Sequence, residues 1–134
     1  MTDYVRGYKR GSAFPNEAFV QAAIEKHFCS SGYERVVAAH SDYACHHPST
    51  GDRWVIEAKG ATAAIGLDFR TGLGQLVQRA SEPTVRYALA VPNIPKFLSQ
   101  CSQVSTWVRE SLGIHWLIVS EDGSIRAVSP KEQL

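Results

Sequence analysis

The sequence has no apolar run approaching the length needed to cross a bilayer, so no helical span is expected within these 134 residues. It has few cysteines. Cys29, Cys45 and Cys101 are odd in number and widely spaced, which argues against a disulfide framework and reads as reduced thiols in a cytoplasmic setting. It also has little excess charge: 14 Lys and Arg against 13 Asp and Glu leave a formal net charge of +1. That balance excludes a strongly basic coat protein or an acidic tail, but a local basic patch can still serve nucleic acid. There are no repeats or low-complexity tracts. Met1 to Gly11 carries Arg6, Lys9 and Arg10 with no apolar core behind them, so it does not read as a signal peptide. What remains is 44% hydrophobic and 20% charged, the composition of a soluble globular chain. One domain spanning residues 1–134 is expected, with residues 1–12 as a basic and aromatic arm.

The pattern of turn formers and apolar spacing divides the chain. A first helix is expected from Pro15 to Phe28, with Val20, Ile24 and Phe28 at helical spacing and Gly32 as its stop. Strands follow at Tyr33 to Ala39, Asp42 to His46 and Arg53 to Lys59. The last two are joined by His47-Pro48-Ser49-Thr50-Gly51-Asp52, a run of turn formers that predicts an antiparallel hairpin. Gly60 to Arg70 reads as a loop and Thr71 to Ser81 as a second helix, with Leu73, Leu76, Val77 and Ala80 as its apolar stripe. Val85 to Val91 is a nearly continuous apolar run, as in a strand covered on both faces. A third helix over Pro95 to Leu112 ends at Gly113, and His115 to Ser120 and Ser124 to Val128 form a closing hairpin. The order αβββαβαββ predicts a mixed-sheet α/β domain.

The chemistry concentrates in Arg53-Trp54-Val55-Ile56-Glu57-Ala58-Lys59-Gly60. Side chains alternate along a strand, so Glu57 and Lys59 share one face while Ile56 and Ala58 share the other. A hairpin turn centred between Ser49 and Thr50 places Asp42 opposite Glu57, with the two carboxylates close enough to share a divalent ion. Mg²⁺ prefers hard oxygen ligands and is commonly held by one or two carboxylates plus waters and substrate phosphate. Lys59 beside it is placed to orient an attacking water or to neutralise charge building on a phosphate. Two carboxylates and a lysine in one small site suit phosphodiester hydrolysis.

Asp42 with Glu57-Ala58-Lys59, set on this element order from Pro15 to Val91, resembles the PD-(D/E)XK nuclease superfamily, the restriction-endonuclease-like fold. Ser41 stands where the family often has proline. The resemblance implies an αβββαβ core with a central mixed sheet flanked by helices, to which this chain adds the C-terminal helix and hairpin. It implies a metal-dependent deoxyribonuclease, most simply an endonuclease, using Mg²⁺ with Mn²⁺ as a substitute. Asp42 and Glu57 would ligate the metal, the carbonyl of Ala58 would complete the site, and Lys59 would assist the nucleophilic water. Two helical residues join them by the same resemblance. Glu17 lies on the stripe of Val20, Ile24 and Phe28 and so points toward the sheet, where relatives carry an acidic residue; Gln75 matches a helical glutamine near the active site.

DNA is the expected partner. Thr71, Gln75 and Arg79 recur at i, i+4 and i+8, a polar stripe suited to a phosphate backbone, and Arg6, Lys9 and Arg10 with Tyr4 and Tyr8 offer a second contact. Nothing is left over for a dedicated sequence reader, so specificity is expected from substrate structure, a homodimer or a partner protein. Two rivals stand beside this reading. One is a non-catalytic module of the same fold that binds nucleic acid or another subunit. The other is a zinc protein using His40, Cys45, His46 and His47; against it, Cys45 and His46 fall on opposite faces of a strand. Trp107 and Trp116 read as core or interface anchors.

Overall fold

The computed structural model describes residues 11–37 and 41–134. Tyr4, Arg6, Tyr8, Lys9, Arg10 and His40 therefore lie outside the described residues, and with them most of the expected arm. Among the described residues, ten elements run α1 (Glu17–Ser30), β1 (Glu34–Arg35), β2 (Tyr43–His46), β3 (Arg53–Ala58), α2 (Ile65–Arg79), β4 (Arg86–Pro92), α3 (Pro95–Ser102), α4 (Thr106–Leu112), β5 (Ile114–Val119) and β6 (Ile125–Val128). They build a mixed six-stranded α/β sheet in the order β1-β2-β3-β4-β5-β6. Strands β1, β2 and β3 form an antiparallel meander, β3, β4 and β5 are parallel, and β6 closes antiparallel on β5.

Each face of the sheet buries its own helices. Val20, Ile24 and Phe28 of α1 cover Tyr43, Cys45, Trp54, Ile56, Ala58 and Ala90. Phe69 and Leu76 of α2, with Phe97 and Cys101 of α3, cover Tyr87, Leu89, Val91, Trp116 and Ile118 on the opposite face. Burying side chains of this size contributes roughly 1.5–3 kcal/mol each, so these stripes hold both helical layers to the sheet. The alternation in β3 follows: Ile56 and Ala58 face α1, while Val55 faces the α2 side. β4 is buried throughout after Arg86, as its unbroken apolar run predicts.

The first strand, expected over Tyr33 to Ala39, is only Glu34–Arg35 among the described residues, and two further elements differ from the sequence expectations. α2 begins at Ile65, not Thr71, because Ile65, Phe69 and Leu76 pack against the sheet and outweigh the helix-weakening effect of Gly66, Gly72 and Gly74. Val77, expected on its buried stripe, is 43% exposed. The expected third helix is two: α3 and α4 are separated at Gln103–Ser105, where the Ser105 hydroxyl caps α4 by accepting from the Val108 N–H at 3.2 Å. The α4 helix then stops at Gly113, whose φ of +70° favours glycine.

Candidate active site

The β2–β3 hairpin pairs Tyr43 with Ile56, Ala44 with Val55, Cys45 with Trp54 and His46 with Arg53. This is the register of a turn centred between Ser49 and Thr50. His47 stabilises the turn, its Nδ1 accepting from the backbone N–H groups of Ser49 at 3.1 Å and Thr50 at 3.3 Å. One residue beyond the ladder, Asp42 comes level with Glu57. Its Oδ2 accepts from the Ala58 N–H at 2.8 Å, which ties the Asp42 carboxylate to the C-terminal end of β3. Asp42 also lines a cleft of about 260 Å³ with Ala18, Gln21, Glu25, Arg35 and Tyr43.

Glu57 lies on the α2 side of β3 and is 2% exposed. Its Oε2 is ion-paired with Nη1 of Arg79 in the last turn of α2, and both contacting atoms are shielded from water. Lys59 follows immediately after β3, its N–H donating to Ala90 O at 2.9 Å. The Lys59 stem runs beneath α2 at Gly72, where an added Cβ would lie 2.8 Å from Lys59 Cγ and 2.9 Å from Leu89 Cδ1. Glycine there leaves a channel for the Lys59 stem against α2. Gln75 sits on the same helix one turn from both Gly72 and Arg79, and its Oε1 is buried without a hydrogen-bond partner. Thr71 is exposed. The polar stripe of Thr71, Gln75 and Arg79 is therefore divided: its first member faces solvent, and its last is turned inward to Glu57.

The first turn of α1 reaches the same strand end by a second close approach. A Cβ on Gly60 would fall 2.0 Å from the Glu17 nitrogen, and Ala61 N–H donates to Pro15 O at 2.9 Å. Residues 60 and 61 thus clamp the start of α1 to the exit of β3. Glu17 stays open to solvent on its outer side. Partial burial raises its carboxyl pKa above the ordinary glutamate value; Lys59 opposes the shift, while Asp42 and Asp68 add to it. That mutual influence brings Glu17, Asp42, Lys59 and Asp68 into one electrostatic neighbourhood.

Sequence reasoning overlooked Asp68 because it fell inside the presumed loop. In the structure it lies in the first turn of α2 and accepts from the Thr62 hydroxyl at 2.5 Å. The Arg79 partnership was also missed, although one signal was present: a glutamate within an apolar strand requires a cation. Among the described residues, the histidines and cysteines do not assemble into a site. Cys45 is buried against α1, His47 caps its turn, and no group of three His, Cys, Asp or Glu side chains suited to a metal occurs among the described residues. Trp116 is fully buried, whereas Trp107 is 76% exposed.

This arrangement sits on a fold already seen elsewhere. The structure resembles that of an XisH family protein from Nostoc punctiforme PCC 73102, with a TM-score of 0.58 and 18% identity over 82% of this chain and 98% of that one. At that identity the likeness establishes the α/β fold alone. No family model matches the chain, and no curated protein matches it. No helix among the described residues is long and apolar enough to cross a membrane.

Chemically, the strand end offers two carboxylates at adjacent register positions, a lysine, a further glutamate and a buried amide with spare capacity. The carboxylate and amide oxygens are hard donors, whereas the Lys59 ammonium is a cation and not a ligand. Donors of this kind are the ones Mg²⁺ takes, alongside waters and phosphate.

Proposed function

We propose that this chain is a Mg²⁺-dependent nuclease of the PD-(D/E)XK type that hydrolyses phosphodiester bonds of DNA. The observation carrying the proposal is the hairpin register, with the Asp42–Ala58 hydrogen bond, which gathers Asp42, Glu57 and Lys59 at the C-terminal end of one strand. In an open α/β sheet that end is where ligands bind. Asp42 and Glu57 would hold the ion, with the Ala58 carbonyl as a further donor. The chemistry such an ion supplies is Lewis-acid polarisation of a phosphate and a lowered pKa for water.

The chain's own residues do the rest. Asp42 is held in place by the Ala58 N–H, so no rotamer search precedes binding. Lys59, confined by Gly72 and Leu89, presents an ammonium that orients the attacking water or donates to a phosphate oxygen. Glu17, with its raised pKa, is suited to hold a proton at the rim or to accept one from a water there. Gln75 offers a buried amide for a water or phosphate oxygen. Thr71 adds a contact to the DNA backbone, and a second copy or a partner protein supplies specificity.

A second reading has one observation in its favour. Glu57 already has a cationic partner, Arg79, as in a non-catalytic module that binds nucleic acid or another subunit. Mn²⁺ calorimetry separates the two. The nuclease reading expects binding to the native protein, loss of binding in the Asp42→Asn/Glu57→Gln double variant, and cleavage of supercoiled plasmid that Lys59→Ala abolishes. Binding that persists in the double variant refutes the assigned ligands. Metal-independent DNA binding without cleavage supports the module.

A further inference from the structure

We infer that Arg79 is the exchangeable counter-ion of the candidate site, neutralising Glu57 until a divalent cation takes the carboxylate and frees the guanidinium for substrate phosphate. The inference rests on the nuclease reading for the kind of cation, and on the Glu57–Arg79 pair for everything else.

The argument begins with the cost of burying Glu57. An ionised carboxylate inside a sheet must be compensated by an opposite charge or a set of hydrogen bonds. Lys59 shares its face, but its stem lies against α2 at Gly72 and its charge acts on Glu17. Arg79 is the ion-pair partner of Glu57 among the described residues.

The two members of the pair are held very differently. Glu57 belongs to a central strand hydrogen-bonded on both sides, and its side chain is 3% exposed; Arg79 reaches in from the last turn of α2 with a quarter of its side chain in solvent. One partner is fixed and the other has a path out. A dication coordinated by Glu57 and a guanidinium in contact with the same oxygen repel one another, and at close range in a water-shielded site that repulsion is poorly screened. Occupancy by one therefore lowers occupancy by the other. The freed group is a planar fork of N–H donors, matched to two phosphate oxygens at once. The same residue thus keeps the empty site neutral and becomes a phosphate contact in the filled one.

Mn²⁺ alone, with no nucleic acid, is the probe. In calorimetric titrations Arg79→Met is expected to bind Mn²⁺ at least tenfold more tightly than the native protein, because the competing cation is gone. Arg79→Lys, which keeps a charge but loses the fork, should fall between them and provides the comparison if the methionine variant folds poorly. Independently, ¹⁵N spectra of the arginine side chains should show one Nε–H resonance, assigned to Arg79 by its loss in Arg79→Lys, moving on addition of Mg²⁺. Affinity unchanged or weakened in both variants, or an Arg79 resonance indifferent to Mg²⁺ while the ion binds, overturns the inference and leaves the nuclease reading intact. Absence of Mn²⁺ binding from the native protein and both variants overturns the two together.

Discussion

Arg79 and Arg109 both reach inward from helices packed on the sheet, yet they are held by opposite kinds of partner. Arg109 of α4 is 1% exposed, lies 5.2 Å above the Trp116 ring, and donates to the backbone carbonyls of Ser129 at 2.8 Å and of Glu132. Its hydrogen-bond acceptors are neutral carbonyls of the chain that follows β6, so the arginine fastens the C-terminal segment over β5. Burial pulls its pKa below the ordinary arginine value, a cost accepted for that fastening. Arg79 is instead partly exposed, and its partner is a carboxylate of the candidate site. The difference teaches how to read a buried cation. One engaged by carbonyls and an aromatic face has nothing to exchange with; one engaged by a carboxylate can be replaced by another cation.

The comparison is broken most forcefully at Arg109. Arg109→Ala strips the guanidinium from the Glu132 carbonyl, leaves the Ser129 carbonyl with the Glu132 N–H as its donor, and opens a void over Trp116, and is expected to cost about 3 kcal/mol or more in urea unfolding. Mn²⁺ affinity of the protein that remains folded should be unchanged. A variant of native stability with altered metal affinity would erase the division between the two arginines.

Two glycines of α2 sharpen the same contrast between site and scaffold at smaller magnitude. Gly74 has nothing within 4 Å of an added Cβ, so Gly74→Ala should stabilise the protein by about 0.5–1 kcal/mol through helix propensity alone. Gly72→Ala gains the same propensity but drives a methyl against Lys59 Cγ and Leu89 Cδ1, and overpacking of this kind costs roughly 1–3 kcal/mol. Net destabilisation of about 1 kcal/mol is expected, with plasmid cleavage falling at least tenfold as Lys59 is displaced. Equal and favourable effects of the two substitutions would show that the channel over Lys59 is not a constraint.

Those glycines also mark where the sequence was legible and where it was not. The hairpin register could be read because turn formers cluster between Arg53 and His46, and the two-residue period then decides which face Glu57 takes. The placement of Asp42 beside β3 followed from that period. The start of α2 could not be read, because Gly60 and Gly66 make residues 60–70 look like a loop when viewed locally, while Gly72 and Gly74 fall inside the expected helix. Two of them, Gly60 and Gly72, are small for a tertiary reason: each lets another part of the site pass at van der Waals distance. The pairing of Arg79 with Glu57 was not legible for a related reason. Its spacing from Thr71 and Gln75 describes a helical stripe but not which way the stripe is turned, and that is decided by Phe69, Gly72 and Leu76 packing against the sheet. Asp68 was lost with the helix start.

The smallest expected effect concerns Glu17 and separates site electrostatics from scaffold stability without touching the core. Its pKa is raised in the folded protein, chiefly by partial burial, with Asp42 and Asp68 adding to the shift and Lys59 opposing it. A carboxyl with a raised folded pKa binds its proton more tightly when folded, so its contribution to stability is lost as pH rises from the ordinary glutamate value through the folded one. Above that window the folded state carries the full cost of an ionised Glu17. Glu17→Gln removes the titration, and should therefore be slightly more stable than the native protein at neutral pH. The advantage should shrink as pH falls through the window and vanish below the ordinary glutamate pKa. Because Glu17 is open to solvent, screening keeps the gain small. Thermal unfolding across this pH range, at low and high salt, checks it. A gain that persists at acid pH would mean that the benefit comes from packing or helix propensity, and that Glu17 is not held among the acids of the site.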